Sequence, residues 1–444
     1  MALTALEIYK NLPKTNCGEC GNPTCLAFAM QLSQKKVALD KCPKVTEEGR
    51  AALEGAAAPP IRLVTIGCGD HKVQVGNETV LFRHEQTFVH PTGVAVQLSD
   101  SLDDASLAKR LDEVRRLVIE RVGTEMRIDL VAVRADSGSA ARFADVVARV
   151  QAAVPYPLVL MARDPSVAAA ALQVCADNRP LLYAADADNW QQMVALARDK
   201  KCPLAVVSND LTALNDLTPK IASAGVQDLV IGLEQQTFAQ MLQALTIIRR
   251  VSLKKGCRSL GYPVIAFATD PDPGQAVNQA ATYVAKYAGI VVLDRAAPAD
   301  LLSILTTRYN IYTDPQKPIQ VKPGVYEVRE PNSNSPVLLT TNFSLTYYTV
   351  EGDVDASRVP AYILVVDTEG TSVLTSWAAD KLNAEKVTAA LNSADGVSRK
   401  VSHRKIIIPG LIAVMAAKLK EQSGWEVIVG PRESAAIPRF LKAL

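Results

Sequence analysis

The sequence predicts an α/β multidomain protein: a small N-terminal cysteine domain, a central (β/α)8 TIM barrel and a C-terminal Rossmann-like, doubly wound domain. Three observations carry that expectation. Half of the eight cysteines crowd between Cys17 and Cys42. Eight short apolar runs then alternate with amphipathic helical stretches. After Lys322-Pro323-Gly324 a strand–helix theme repeats three times, with glycines at the turns. A chain of 444 residues has room for all of this.

Changes in texture set the boundaries. Residues 1–57 run into Ala56-Ala57-Ala58-Pro59-Pro60, a small-residue and proline stretch that reads as a hinge. Residues 58–322 carry the barrel behind an N-terminal β-hairpin, read as IRLVTIG, a turn at Gly76-Asn77, then ETVLFRHE. Residues 323–444 form the last domain, and Lys317–Gly324 is a second hinge.

The first cysteines are spaced C-x2-C-x4-C-x16-C, as Cys17, Cys20, Cys25 and Cys42. Three of them lie within nine residues, so one loop can wrap three corners of a cluster. Cys42 closes the site after a helix-like stretch, Leu26–Lys36. Gly18 and Gly21 beside the ligands let backbone N–H groups turn toward sulfur. Four thiolates with a Cys42-Pro43 ending suit an iron–sulfur cluster, most simply [4Fe–4S]. Structural zinc is the competing reading. Zinc favours two C-x2-C pairs or Cys/His mixtures, and no histidine occurs in the first 70 residues. Cys68, Cys175, Cys202 and Cys257 stand singly and read as small core hydrophobes.

The barrel strands are Val94–Leu98, Ile128–Val133, Leu158–Met161, Leu181–Tyr183, Leu204–Val207, Leu229–Ile231, Val264–Phe267 and Ile290–Leu293. Continuous apolar strands alternating with helices imply parallel strands buried on both faces, and eight such units fit a (β/α)8 barrel. Seven strands run into an aspartate: Asp100, Asp136, Asp164, Asp186, Asp210, Asp270 and Asp294. Each either caps the next helix through its N–H groups, which explains every one separately, or joins a catalytic or pterin-binding cluster at the barrel mouth.

In the last domain LLTTNFSLTYYTV reads as strand-like, followed by Tyr362–Val366, Lys405–Ile408 and Val427–Val429. Open parallel sheets bind ligands beyond the carboxyl ends of their strands, where Gly370, Gly410 and Gly430 make the turns. Thr371 and Ser372 there offer hydroxyls and helix N-terminal N–H groups; ordinary loop geometry is the other reading. Neither G-x-G-x-x-G nor G-x-x-x-x-G-K-[ST] occurs, so dinucleotide and P-loop chemistry lack support. D-x-H-x-x-G, the usual sign of a cobalt-ligating histidine, is also absent, and His403 reads as structural.

Composition narrows the function classes. With 48% hydrophobic and 21% charged residues the chain reads as soluble and globular. A net charge of +2 lacks the basic excess of a nucleic-acid binder. No apolar run reaches the roughly 18 residues that span a bilayer. The N-terminus has no secretory pattern, so a cytoplasmic location is expected and the cysteines are not read as disulfides.

From end to end the chain resembles the large-subunit family of the corrinoid iron–sulfur protein of the reductive acetyl-CoA pathway. The resemblance rests on N-C-G-E-C-G-N-P-T-C-L-A-F-A-M from Asn16 to Met30 with Cys42-Pro43, on the barrel, and on T-T-N-F-S-L-T-Y-Y and E-G-T-S-V-L-T-S-W. It implies a methyl carrier. In that family a corrinoid (cobalamin-type) in its Co(I) state takes a methyl group from a methyltetrahydrofolate methyltransferase. The methyl goes to acetyl-CoA synthase/CO dehydrogenase, and the [4Fe–4S] domain reactivates Co(II). The resemblance implies Cys17, Cys20, Cys25 and Cys42 as cluster ligands. It implies corrinoid contacts at Thr340, Thr346, Gly370, Thr371, Ser372, Val373, Gly410, Gly430, Ala435 and Ala436. It also implies a small TIM-barrel subunit as heterodimer partner and a reductive activator protein. The missing D-x-H-x-x-G suits a base-off corrinoid. Two rivals stay open: a pterin-binding barrel methyltransferase, and a ferredoxin-like electron-transfer subunit whose last domain binds a nucleotide or flavin.

Overall fold

Val, Leu, Ile and Ala fill the predicted barrel strands without leaving a polar face, and such runs persist only where both faces are covered. The computed structural model describes residues 4–33, 37, 39–47, 49–50, 53, 59–86, 88–313, 318–393 and 396–444. They form two compact units, residues 1–119 with 126–313 and residues 120–125 with 314–444. Of the predicted hinges, Ala56–Ala58 and Lys317 lie outside the described residues.

In the first unit β1 (Val64–Ile66) pairs antiparallel with β2 (Val73–Val75). The expected hairpin is therefore present but shifted. Its turn is the 3-10 segment Gly69–His71, and ETVLFRHE keeps only an isolated bridge from Glu78 to Ile61. The reason is a buried cation. Arg249 pairs with Glu78 and donates to the carbonyls of Val80 (2.9 Å) and Leu81 (3.1 Å), which draws this segment onto helix Phe238–Lys255.

Next come β3 (Gly93–Ser99), then β4 (Val118–Arg121) and β5 (Thr124–Arg127), a two-stranded sheet the sequence reading did not anticipate. Val122 and Gly123 form its turn in left-handed conformation (φ 51° and 67°). The remaining strands are β6 (Leu130–Arg134), β7 (Leu158–Met161), β8 (Leu181–Ala185), β9 (Leu204–Ser208), β10 (Leu229–Leu233), β11 (Val264–Ala268) and β12 (Ile290–Leu293). β3 and β6 to β12 close in chain order into a barrel of eight parallel strands, all of them expected. Val64, Ile66 and Val75 pack with the inward-facing Ala95, Leu130, Leu181 and Ile290, so the hairpin plugs the N-terminal end of the barrel. A larger core, including Phe143, Leu172 and Ile248, fills the layer between strands and helices.

The second unit holds β13 (Gly324–Val328), β14 (Val337–Thr341), β15 (Ala361–Val366), β16 (Lys405–Ile408) and β17 (Glu426–Val429). Their order is β13-β15-β14-β16-β17, with β13 antiparallel and the rest parallel. Helices cover both faces: Val387, Leu391 and Leu419 on one, Tyr347, Val354 and Leu441 on the other. The expected strand LLTTNFSLTYYTV is corrected here. Its strand ends at Thr341 and a helix runs over Ser344–Ser357, because Tyr347 and Val354 bury at helical spacing. β13 was not anticipated either. Among the described residues no helix is long and apolar enough to cross a membrane.

Candidate cofactor sites

The cysteine loop is shaped by left-handed backbone at Asn16, Gly18 and Gly21 (φ 46°, 75° and 77°). The Gly21 N–H donates to the Gly18 carbonyl (2.9 Å), and the Cys25 N–H donates to Asn16 Oδ1 (2.9 Å). The Thr24 hydroxyl accepts from the Ala27 N–H (3.1 Å), and helix Cys25–Ser33 starts on the third cysteine. The expected helix ran to Lys36; residues 34–36 lie outside the described residues. Cys25 and Cys42 are buried in a small core with Ile8, Leu12 and Phe28, and Cys20 packs against it. Cys17 is exposed. The Glu19 N–H, helped by the Thr15 hydroxyl, holds the Cys17 thiol below its ordinary range, which favours the thiolate a metal needs.

Among the described residues no three Cys, His, Asp or Glu side chains close on a single metal ion. A cluster of several irons is wider than one ion and takes its thiolates from farther apart. A short loop with a backbone N–H aimed at sulfur fits that chemistry. Of the solitary cysteines, Cys175 and Cys202 are buried, which pushes their thiols up to about 12 and about 11. Cys257 is half-buried. Cys68 is exposed, contrary to the core role expected of it.

The barrel aspartates divide their duties. Asp164 caps its helix through the Ser166 N–H (2.8 Å), and Asp210 through Thr212 and Ala213 (2.8 and 2.9 Å). After β3, β6 and β11 the caps are Asp103, Ser139 and Asp272 instead of the expected Asp100, Asp136 and Asp270. Asp100 is buried and accepts from the N–H groups of Asp136 (2.7 Å) and Ser137 (2.8 Å) and from the Ser137 hydroxyl (2.6 Å). Asp136 pairs with Arg134 (2.7 Å), Asp186 with Arg163 (2.6 Å) and Asp294 with Arg295 (3.2 Å). Asp270 accepts from Gln279 (3.1 Å). Arg163 also meets Glu234, which accepts from the Tyr183 hydroxyl (2.8 Å), and burial raises that phenol well above its usual range. Every one of these acids is supplied with a donor by the protein itself.

The second unit is finished differently. Its sheet reverses its winding between β14 and β16, and ligands of open α/β sheets bind at such a switch. A cleft of about 320 Å³ opens there. Thr340, Thr346, Ser372, Val373 and Gly430, five of the residues expected as corrinoid contacts, line it. So do Leu338, Leu345, Thr349, Ile407, Pro409 and Ile437, which sequence reasoning missed. Thr349 follows from Thr346 at i+3 once the stretch is read as a helix, and Leu345 pairs with Thr349 at i+4.

Gly370, Thr371, Gly410, Ala435 and Ala436 are not among the lining residues. They shape its walls. A Cβ on Gly410 would come within 2.6 Å of the Gly430 carbonyl, so only glycine allows these two loops to touch. The Thr371 hydroxyl is turned back onto the Thr368 carbonyl (2.7 Å). Ala435 and Ala436 belong to the 3-10 turn Ser434–Ala436, whose Ser434 faces the cleft.

Thr340 is the telling residue. It is 1% exposed, and its hydroxyl has no hydrogen-bond partner among the described residues. A buried unpaired hydroxyl costs about 1–3 kcal/mol, and of the five buried polar atoms left unpaired among the described residues, on Gln151, Thr306, Thr340, Thr341 and Trp425, only that of Thr340 lines the cleft. Helix Ser344–Ser357 also starts from Phe343, whose side chain cannot cap it. Apolar walls with a few convergent polar groups are the chemistry of a cofactor site. His403, as expected, is structural: Nδ1 accepts from the Lys405 N–H (3.2 Å) and Nε2 meets the Ser335 carbonyl (2.9 Å).

Comparison with known proteins matches both regions. A family model for the CO dehydrogenase/acetyl-CoA synthase delta subunit matches residues 63–441, and an Fe-S cluster family model matches residues 12–44. The corrinoid/iron-sulfur protein large subunit of Moorella thermoacetica is 48% identical over 443 residues, spanning 100% of this chain and 99% of that protein. The chain belongs to the corrinoid/iron-sulfur protein large-subunit family. Two further relatives are acetyl-CoA decarbonylase/synthase complex gamma subunits. That of Methanothermobacter thermautotrophicus is 39% identical, covering 100% of this chain and 99% of its own length. That of Methanopyrus kandleri is 36% identical, covering 99% and 97%. In this large-subunit family member, the Fe-S match spans all four clustered cysteines, and the longer match spans the barrel and the cleft.

Proposed function

We propose that this chain is a methyl carrier of acetyl-CoA synthesis, holding a base-off corrinoid in the cleft and a [4Fe–4S] cluster on Cys17, Cys20, Cys25 and Cys42. The observation that carries the reading is the switch-point cleft with its unpaired, buried Thr340 hydroxyl. It stands in a chain whose 48% identical relative is named for a corrinoid and an iron–sulfur group. Bound there, the corrinoid supplies a cobalt nucleophile that accepts and releases a methyl group, and the cluster supplies single electrons that restore it after oxidation.

The chain's own residues bind and shield. Thr340 and Thr346 would offer hydroxyls to the cofactor's polar groups, and Leu338, Leu345 and Ile437 would shield it from water. Gly430 keeps the wall low, since a Cβ there would come within 2.9 Å of Ile407. His403 is the only histidine of the second unit, and both its ring nitrogens are engaged. The unit therefore offers no free imidazole for cobalt's lower position, which fits a corrinoid held without a histidine ligand.

In this reading residues 1–57 are the cluster domain, 58–322 the barrel and 323–444 the corrinoid-binding domain. The methyl donor is a methyltetrahydrofolate methyltransferase and the recipient is acetyl-CoA synthase/CO dehydrogenase. A small TIM-barrel subunit completes a heterodimer, and a reductive activator serves as electron source. The test is metal analysis of anaerobic protein purified with its natural partner. We expect about four irons per chain, as a [4Fe–4S] cluster requires, together with cobalt and a corrinoid absorption spectrum. Absence of cobalt overturns the carrier reading, and zinc in place of iron overturns the cluster.

A further inference from the structure

Asn342 follows β14 directly and is 1% exposed. Its amide is fully engaged. Oδ1 accepts from the Thr368 N–H (2.9 Å), the Thr368 hydroxyl (3.0 Å) and the Gly370 N–H (3.0 Å). Nδ2 donates to Gln320 Oε1 (3.1 Å) and Asp367 Oδ1 (3.1 Å). One side chain thus joins two pieces of the unit that are far apart in sequence. One is the entering segment Pro318–Val321. The other is the loop Asp367–Val373, whose last residue lines the cleft.

Backbone bonds reinforce the clasp. The Val321 N–H donates to the Asn342 carbonyl (3.0 Å), and the Ser344 N–H donates to the Ile319 carbonyl (3.0 Å). Ser344 opens the helix that carries Thr346, so the entering segment holds both walls of the cleft. Gly370 lies against that segment in left-handed conformation (φ 71°). A Cβ there would stand 2.6 Å from Gln320 Cγ and 3.0 Å from Pro318 Cβ. Gln320 itself is exposed, so burial does not explain its contact with a buried amide.

We propose that Asn342 is a positioning residue for the cofactor cleft, and that the segment Pro318–Val321 sets the cleft's shape through it. Retention of the corrinoid is then coupled to the seating of the stretch by which the chain enters this unit. The coupling rests on the corrinoid reading of the cleft. Chemistry demands an amide at this position. Aspartate has the same shape, but it exchanges the Nδ2 donor for an acceptor facing Gln320 Oε1 and the Asp367 carboxylate.

The test uses the full chain with its natural partner, first without corrinoid. Amide hydrogen exchange is followed at residues 367–373 in the wild type, Gln320→Ala and Asn342→Asp. Gln320→Ala removes one hydrogen bond and should speed exchange at Gly370 roughly three- to tenfold, with barrel amides unchanged. Asn342→Asp should speed it more, and adding Asp367→Asn, which returns a donor, should recover part of the loss. With cobalamin loaded, dissociation rates should rank in the same order. Unchanged Gly370 exchange in Gln320→Ala, or cobalamin loss at the wild-type rate in both variants, overturns the proposal. A wild type that binds no cobalamin defeats the corrinoid reading alone, because the exchange result still decides whether the segment positions the loop.

Discussion

Both units present the same kind of edge, the carboxyl ends of parallel strands, and they finish it differently. At the barrel mouth six of the eight helices start from side-chain caps, Asp103, Ser139, Asp164, Asp210, Thr237 and Asp272, while Trp190–Lys200 and Pro298–Tyr312 do not. The acids there are matched by Arg134, Arg163, Arg295 and nearby N–H groups. At the sheet edge of the second unit, helices Ser344–Ser357 and Val373–Ala378 start without a side-chain cap. Among the described residues the Thr340 hydroxyl has no partner there, and glycines hold the loops low. Topology offers both edges as sites. The two edges differ in the unpaired Thr340 hydroxyl at one and acids already holding donors at the other, and the latter fits a scaffold role.

Breaking the finished edge should have the largest effect. Asp100→Ala leaves two N–H groups and a hydroxyl without their carboxylate, and should lower stability by about 3 kcal/mol in denaturant unfolding. Corrinoid content per folded chain should not change. A loss of cobalt in that variant would mean the two edges are not independent.

Thr340→Val sharpens the contrast from the other side, with a smaller effect and two opposite signs. Removing an orphaned buried hydroxyl should stabilise the cofactor-free chain by about 1 kcal/mol in thermal unfolding, while cobalamin dissociates faster. A variant that is destabilised when empty would show that the hydroxyl already has a partner.

The smallest effect separates saturated core from open surface by pH. Burial favours the neutral thiols of Cys175 and Cys202, so both folded values lie above the ordinary 9.0, at about 12 and about 11. Their contribution to stability is complete below about pH 9 and is lost as pH rises through those folded values. In iron-loaded protein at pH 8, a thiol reagent should modify exposed Cys68 first and leave these two unmodified. Equal labelling of all three would contradict the burial.

Much of the barrel was legible because runs such as Leu204–Ser208 and Leu229–Leu233 are apolar on both faces and need no context. Caps were legible as a class but not by position, since Asp100 and Asp103 stand within one turn of each other and only the fold assigns their work. LLTTNFSLTYYTV misled because its β-branched and aromatic residues favour strands locally, while packing at Tyr347 and Val354 selects a helix. That error hid Leu345 and Thr349. Asn342 was illegible for another reason: its partners lie 22 to 28 residues away, and no periodicity announces a polar hub. The four clustered cysteines stood out through their spacing, and Thr340 through resemblance alone.

The central claim is that the cofactor edge belongs to the second unit and the barrel mouth is scaffold. The most direct test is iron and cobalt analysis of anaerobic, partner-purified wild type, Thr346→Trp and Arg163→Leu. Thr346→Trp fills the cleft from a half-buried helix position, and Arg163→Leu unpairs Asp186 and Glu234. The expected result is cobalt lost only in Thr346→Trp, with iron kept in all three. Cobalt that survives Thr346→Trp, or that disappears with Arg163→Leu in folded protein, would contradict the account.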